Sequence, residues 1–428
     1  MKITKMSYAA IVAMSMMIGT TVIVQAGGTI EAAPVAPVEV KSVSDILSNG
    51  KYSLEIRPRY EFVDEDNTKD NANAFTVRTA IGAKFDALGI DGLAVELEMM
   101  DVRNFGADNY APESAGYSIV ADGEQTRVTQ ANVSYSKNGF VGVVGRKGVN
   151  LDNQRFIGTV GWRQMPQTYD LVSVAYQGIE NLDLMAAYVW QVNRIFDREI
   201  SVDTLKVTDF DTNTVFLHAA YKVAPELTIT AYDYMLAGFA DHIGIRATGE
   251  TTLGNGVKLN YLAEYAKQND ASLKESSAPF NDLKPDQDAD YYRVELGASH
   301  HGYMAGVYYE VLGEKGNGTK SFNTPLATGH AMNGWADKFL ATPEDGLKDF
   351  SVNLGYADAT LGKVMGVYHK FDSDGGGIDF GSEFDVVYTK NVMKNVNMML
   401  KGAIYSQGDT ATPYVDTTKY WVMFDYKY

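Results

Sequence analysis

The stretch Tyr420-Trp421-Val422-Met423-Phe424-Asp425-Tyr426-Lys427-Tyr428 alternates without a break. Tyr420, Val422, Phe424, Tyr426 and Tyr428 share one face, and Trp421, Met423, Asp425 and Lys427 share the other, a period of two that an extended strand produces and a helix does not. The first face is uniformly apolar or aromatic, while the second carries charge. A strand separating hydrocarbon from water has this composition. The amphipathic last strand of a soluble domain is the competing reading.

The pattern recurs along the chain. Tyr52, Leu54, Ile56, Tyr60 and Phe62 oppose Ser53, Glu55, Arg57, Arg59 and Glu61. Phe75, Val77, Ile81 and Phe85 oppose Thr76, Arg78 and Lys84, and Leu93, Val95, Leu97 and Met99 oppose Glu96 and Glu98. Further on, Leu259, Tyr261 and Tyr265 stand against Lys258, Asn260 and Glu264. Tyr292, Val294 and Leu296 stand against Arg293 and Glu295, and Phe384, Val386 and Tyr388 against Glu383 and Asp385. Between 51 and 428 about 18 such segments can be placed, or 16 if the poorly sorted region 182–236 holds fewer. Tight turns such as Gly89-Ile90-Asp91-Gly92, Lys137-Asn138-Gly139 and Gly254-Asn255-Gly256 alternate with long polar connections at 104–123, 148–167, 194–209, 268–288 and 313–346. A closed barrel has this asymmetry, with short periplasmic turns on one rim and long loops on the other. The expectation is an all-β fold, a transmembrane antiparallel β-barrel of about 18 strands in the bacterial outer membrane, bounded by lipid and lipopolysaccharide. An aromatic last residue also suits an outer-membrane assembly signal, with Tyr428 where Phe is usual.

Residues 1–26 read as a signal peptide: Lys2 and Lys5 precede an apolar run from Tyr8 to Thr20, and Val24-Gln25-Ala26 ends on a small residue. Cleavage there would move the net charge from −17 to about −19 by loss of the two lysines. Residues 27–50 read as a periplasmic leader and 51–428 as the channel domain. After the signal no run reaches the ~18 apolar residues of a membrane helix. The absence of cysteine excludes disulfides and thiolate chemistry, and the acidic balance argues against nucleic acid as a partner. The 27 tyrosines suit an interfacial girdle, as they would suit any large β protein.

One long connection is unlike a solvent loop. Within 146–164, Phe156, Ile157 and Trp162 alternate with Arg155, Arg163, Asp152 and Gln164. Such a loop should fold into the barrel, bury its aromatics and turn guanidinium groups toward the lumen. Alternatively the arginines pair with Asp152 and wall carboxylates and only hold the loop. In 313–346, Trp335, Phe339 and Leu340 fall at helical spacing and predict a short helix in the barrel mouth, as a lid or as a hydrophobic clasp.

The segments Leu151-Asp152-Asn153-Gln154-Arg155-Phe156 and Val160-Gly161-Trp162-Arg163-Gln164, with Thr324 to His330 and Gly334 to Leu340, resemble the alginate-export family of outer-membrane barrels. Arg57-Pro58-Arg59-Tyr60-Glu61-Phe62 fits the same pattern, and the likeness spans roughly 51–428. It implies a monomeric 18-stranded barrel whose constriction is lined by arginine and passes an anionic polysaccharide. On that basis Arg57, Arg59, Arg78, Arg146, Arg155 and Arg163 are lumen candidates. The inferred lumen faces also carry Arg246, Arg293, Glu96, Glu98, Glu383 and Asp385, a mixed lining that suits a diffusion porin.

Catalytic chemistry finds no footing. The histidines are scattered, no metal spacing is present, and no nucleophile elbow or phosphate loop occurs. Glu96/Glu98 and Glu383/Asp385 could mimic a glycosidase pair, though pore lining explains them more simply. The expected function is passive passage of small polar solutes or anionic saccharides, without cofactor or metal. A structural or adhesive surface protein, or a barrel enzyme, is the alternative.

Overall fold

The computed structural model describes residues 49–86, 89–196, 209–274, 287–316 and 320–428. The expected signal peptide and nearly all of the leader lie outside the described residues, as do parts of the connections 194–209, 268–288 and 313–346.

Eighteen strands follow in order: β1 Lys51–Glu65, β2 Ala72–Asp86, β3 Leu93–Asn109, β4 Gln125–Lys137, β5 Phe140–Lys147 and β6 Thr168–Ile179. Then come β7 Leu182–Asn193, β8 Phe210–Ala224, β9 Leu227–Leu236, β10 Ala240–Thr252, β11 Lys258–Asn269 and β12 Asp288–His300. The last six are β13 Tyr303–Leu312, β14 Leu347–Asp358, β15 Gly362–Asp372, β16 Asp379–Met393, β17 Val396–Ser406 and β18 Thr417–Lys427. Each pairs antiparallel with its successor, and β18 returns to β1. Closure removes both sheet edges, which a lipid-embedded sheet requires because no water can satisfy a free edge.

The faces fall as the alternation predicts. Ile81, Leu97, Val294 and Phe384 are exposed on the outer surface, while Arg57, Arg59, Glu61, Arg78 and Asp385 are buried inside. At the seam Phe62 stacks on Tyr420 outside, with ring centroids 4.6 Å apart, and Glu61 pairs in register with the inward Trp421. Outer aromatic pairs gather near the short-turn rim, Phe140 with Tyr176 at 4.2 Å and Tyr303 with Tyr356 at 4.8 Å. Pro58 leaves a gap in pairing: β1 and β18 are joined at Ile56↔Tyr426 and again at Arg59↔Met423, but not between. A residue without an N–H has nothing to donate there.

Two expectations need correction. Loop lengths are less strictly sorted than the sequence suggests, because 237–239 links β9 to β10 on the long-loop rim as a tight turn. The region 182–236 resists sorting for a physical reason. Its inner face is largely apolar, with Ala187, Val189, Val192, Phe216, Tyr232, Tyr234 and Leu236 all buried and, among the described residues, only uncharged Thr212, Thr214, Thr230 and Asn193 as buried polar residues. Both faces of these strands are therefore hydrophobic, and the alternation disappears.

Candidate functional site

The connection 148–167 turns back into the barrel, and its aromatics find that apolar wall. The Phe156 ring lies 5.2 Å from Tyr232, 5.4 Å from Tyr291 and 5.9 Å from Phe322. Backbone at positive φ at Asp152, Gln154 and Val160 folds the loop tightly enough to fit. The connection 313–346 then locks onto it. Gly158 N donates to Leu326 O at 2.9 Å, Thr328 N to Gln154 O at 3.0 Å, and the Thr328 hydroxyl to Gln154 Oε1 at 2.6 Å. A Cβ at Gly158 would sit 2.3 Å from that hydroxyl, so only glycine permits the approach.

The predicted helix at 335–340 does not form. The only helical turn in this connection among the described residues is 3-10, Gly329–Ala331. Asn333, Gly334 and Asp337 all take positive φ, which a right-handed helix cannot contain. The freed N–H groups are used by the wall instead: Ala336 N donates to Glu383 Oε1 at 2.7 Å and Trp335 N to Asp385 Oδ2 at 3.3 Å. Trp335 and Phe339 are buried, Phe339 4.6 Å from Phe371, whereas Leu340 is exposed.

The wall arginines hold the loops through backbone carbonyls. Arg57 donates to Gly161 O at 3.2 Å and to Asp425 at 3.1 Å, and Arg59 donates to Trp162 O at 2.5 Å. Arg78 donates to Gln164 O at 3.2 Å and pairs with Glu55. Arg59 also pairs with Glu61 and Asp122. The loop arginines face carboxylates in return. Arg155 meets Glu310 at 3.0 Å and Asn333 at 3.0 Å, and Arg163 meets Glu61 at 3.2 Å and Asp337 at 2.9 Å. Arg246 pairs with Glu264 at 3.4 Å, and Arg293 with Glu310 at 3.1 Å and with Glu295. Every one of these guanidinium groups is therefore engaged within the chain.

Arg146 is not in the lumen. Its register partners are Ala131 and Asp170, and its neighbours on that face, Val144 and Val172, are exposed to the exterior. It forms a two-point pair with Asp170 at 2.7 and 2.9 Å on the outer surface. The resemblance placed it among the lumen candidates, but on β5 it is Val141, Val143 and Lys147 that share the inward face.

Below the loops lies a cavity of about 2770 Å³ that reaches the short-turn rim. Arg57, Arg78, Arg293, Glu96 and Glu98 line it, together with Glu55, Glu295, Lys147 and Asp425. Arg59, Arg155, Arg163, Arg246, Glu383 and Asp385 lie behind the lining, among the loop anchors. Met365, Met399 and Met423 form an apolar strip on one side.

The sequence reading missed the cluster where the loops meet β17. The Lys401 ammonium sits 3.8 Å from the Trp335 ring centroid, 4.0 Å from Trp162 and 5.4 Å from Trp421. It also lies 2.7 Å from His330 Nε2, and His330 Nδ1 lies 2.6 Å from Asp337 Oδ1. Burial holds the His330 imidazole down to about 3, with Lys401 and Arg163 adding to that and Asp337 opposing it. Burial alone would raise the Asp337 carboxyl, but its cationic partners, including Lys419 and Arg163, hold it well below the ordinary range. The signal in the sequence is Lys401 itself, a single charge in the otherwise uncharged run 398–404.

No family model matches the chain, and no curated protein matches it. Solved structures do. Pseudomonas aeruginosa OccK9 (OpdG) superposes with a TM-score of 0.69 at 14% identity, covering 89% of this chain and 99% of that one. Acinetobacter baumannii OccAB3 gives 0.68 at 16%, covering 89% and 99%. Pseudomonas aeruginosa OccK8 (OprE) gives 0.68 at 14%, covering 89% and 98%. At such identities the likeness is one of fold, and by fold the chain is a closed 18-stranded β-barrel of the outer membrane.

Proposed function

We propose that the protein is a porin-like channel through which small polar or charged solutes pass the outer membrane passively. The observation that carries this reading is the cavity of about 2770 Å³, lined by both signs of charge and narrowed from above by two infolded loops. A filled lumen would suit a structural or adhesive barrel; here only the upper part is packed. Mixed charge on opposing walls orients polar solutes without trapping them.

The alginate-export version, rapid passage of an anionic polysaccharide, rests on the sequence motifs alone. Free arginines at the constriction would be needed to draw a polyanion in, and Arg57, Arg78, Arg155 and Arg163 are already paired with carboxylates. This favours small solutes.

The test is planar-bilayer conductance of the refolded chain under a salt gradient, with and without polyuronate. Discrete open steps indifferent to polyuronate are expected. Block by polyuronate would restore the saccharide reading, and a correctly inserted barrel without conductance would overturn the channel.

A further inference from the structure

Most lumen-facing charges above the rim are held in ion pairs or among the loop anchors, and Glu98 and Lys147 are in neither group. Glu98, on β3, accepts one hydrogen bond from the Thr129 hydroxyl at 2.7 Å and faces the cavity. Lys147, at the end of β5, also lines the cavity, and its ammonium has no partner among the described residues.

These two charges stand in one row. Glu98 pairs in register with Gln130. Ala131 pairs with Arg146, so Gln130 and Lys147 are the next facing positions on the inward side. Gln130 lines the cavity between them, and its buried Oε1 has no protein partner. A bulge between Glu98 and Met99 admits Thr129 as an extra residue whose hydroxyl steadies the carboxylate. Asn153, at the foot of the infolded loop, adds a buried Nδ2 that is likewise without a protein partner.

We propose that Glu98, Gln130 and Lys147 form a recognition row for zwitterionic solutes, with Glu98 taking the ammonium, Lys147 the carboxylate and Gln130 the polar groups between. The inference rests on the channel reading above. Two ladder spacings separate the outer members by about 9–10 Å. Charge-assisted contacts of ~2.8 Å at each end leave about 4 Å for the solute's own charge separation. That is the scale of an amino acid, and too short for a saccharide chain. A monovalent anion or cation can satisfy one end only, and it meets the like charge at the other.

The test is solute entry into liposomes carrying the refolded full-length chain, comparing β-alanine with its neutral isomer lactamide. The rate ratio within one preparation cancels differences in folding yield. For the native chain β-alanine should enter roughly twofold to fivefold faster, the range an exposed ion pair supplies. Glu98→Gln and Lys147→Met should each bring the ratio to about one. They should also move ion selectivity in opposite directions, toward chloride and toward potassium respectively. A ratio near one in a native chain that conducts ions, or a raised ratio unchanged in both variants, would overturn the row and leave the channel standing. A native chain without conductance would remove the channel reading itself.

Discussion

The inner wall has two halves that hold the same loops by different physics. Across β6 to β10 the wall is largely apolar, and Phe156 packs on Tyr232 and Tyr234 within one buried cluster that includes Ile157 and Phe216. Across β1, β2 and the strands from β12 to β18 it carries charge beside the apolar strip, and the wall residues Arg59, Glu61 and Glu310 bind the loops through directed bonds, two of them to Arg155 and Arg163. Apolar burial stabilises in proportion to area and tolerates small shifts. A buried ion network stabilises less on balance but specifies one geometry, since removing a single partner strands the other. The apolar half would then supply adhesion and the charged half position.

The largest effect should come from the apolar half. Phe156→Ala should cost about 3–5 kcal/mol, lower the urea midpoint of the barrel in detergent, and enlarge the single-channel conductance as the loop leaves the wall. Unchanged conductance with a lowered midpoint would show that the ion network holds the loop unaided.

Glu61→Ala comes next. It strands Arg59 and Arg163, leaving them Asp122 and Asp337, and should cost about 3 kcal/mol. Combining it with Arg163→Met should recover part of the lost stability, measured by the same urea midpoint. A double variant worse than the sum of its parts would reject the network as drawn.

Lys401→Met keeps the bulk and deletes the ammonium held among Trp162, Trp335 and Trp421. A loss of about 2 kcal/mol or less is expected, seen chiefly as added flicker in single-channel recordings because both loops meet at this point.

The smallest effect concerns pH. Free histidine titrates near 6.5, whereas His330 in the folded chain is held down to about 3. Between those values the unfolded chain binds the extra proton, so stability should fall as pH drops from about 6.5 toward 3. Asp337, held low, contributes stability above its ordinary pKa that is lost only as pH falls through its lowered folded value. His330→Asn should flatten the decline between pH 6 and 4, read from urea midpoints across that range. An unchanged slope would assign the pH dependence to other groups.

The alternation in β1, β2, β3, β12, β16 and β18 was legible because those strands lie between lipid and a charged interior. It failed in β7 to β9, where loop aromatics make the interior apolar as well. Phe156, Trp162, Trp335 and Phe339 stood out as aromatics too costly to leave in solvent. Their partners did not stand out, since Phe156 meets Tyr291 and Phe322 across distances in sequence that no local pattern encodes. Arg146 entered the lumen set through the resemblance, whereas its face is decided by register, and a shift of one residue reverses it.

Side-chain periodicity, turn chemistry and the acidic, cysteine-free composition were enough to determine a closed membrane barrel of about 18 strands. These are local properties, set by whether each residue meets lipid or water. Only the tertiary structure decided that the lumen arginines are spent on anchoring loops, that Lys401 is boxed by three tryptophans, and that Glu98 and Lys147 have no ion-pair partner among the described residues. Each of those depends on which residues meet across the barrel, and that is settled when closure and loop infolding bring distant strands into one interior.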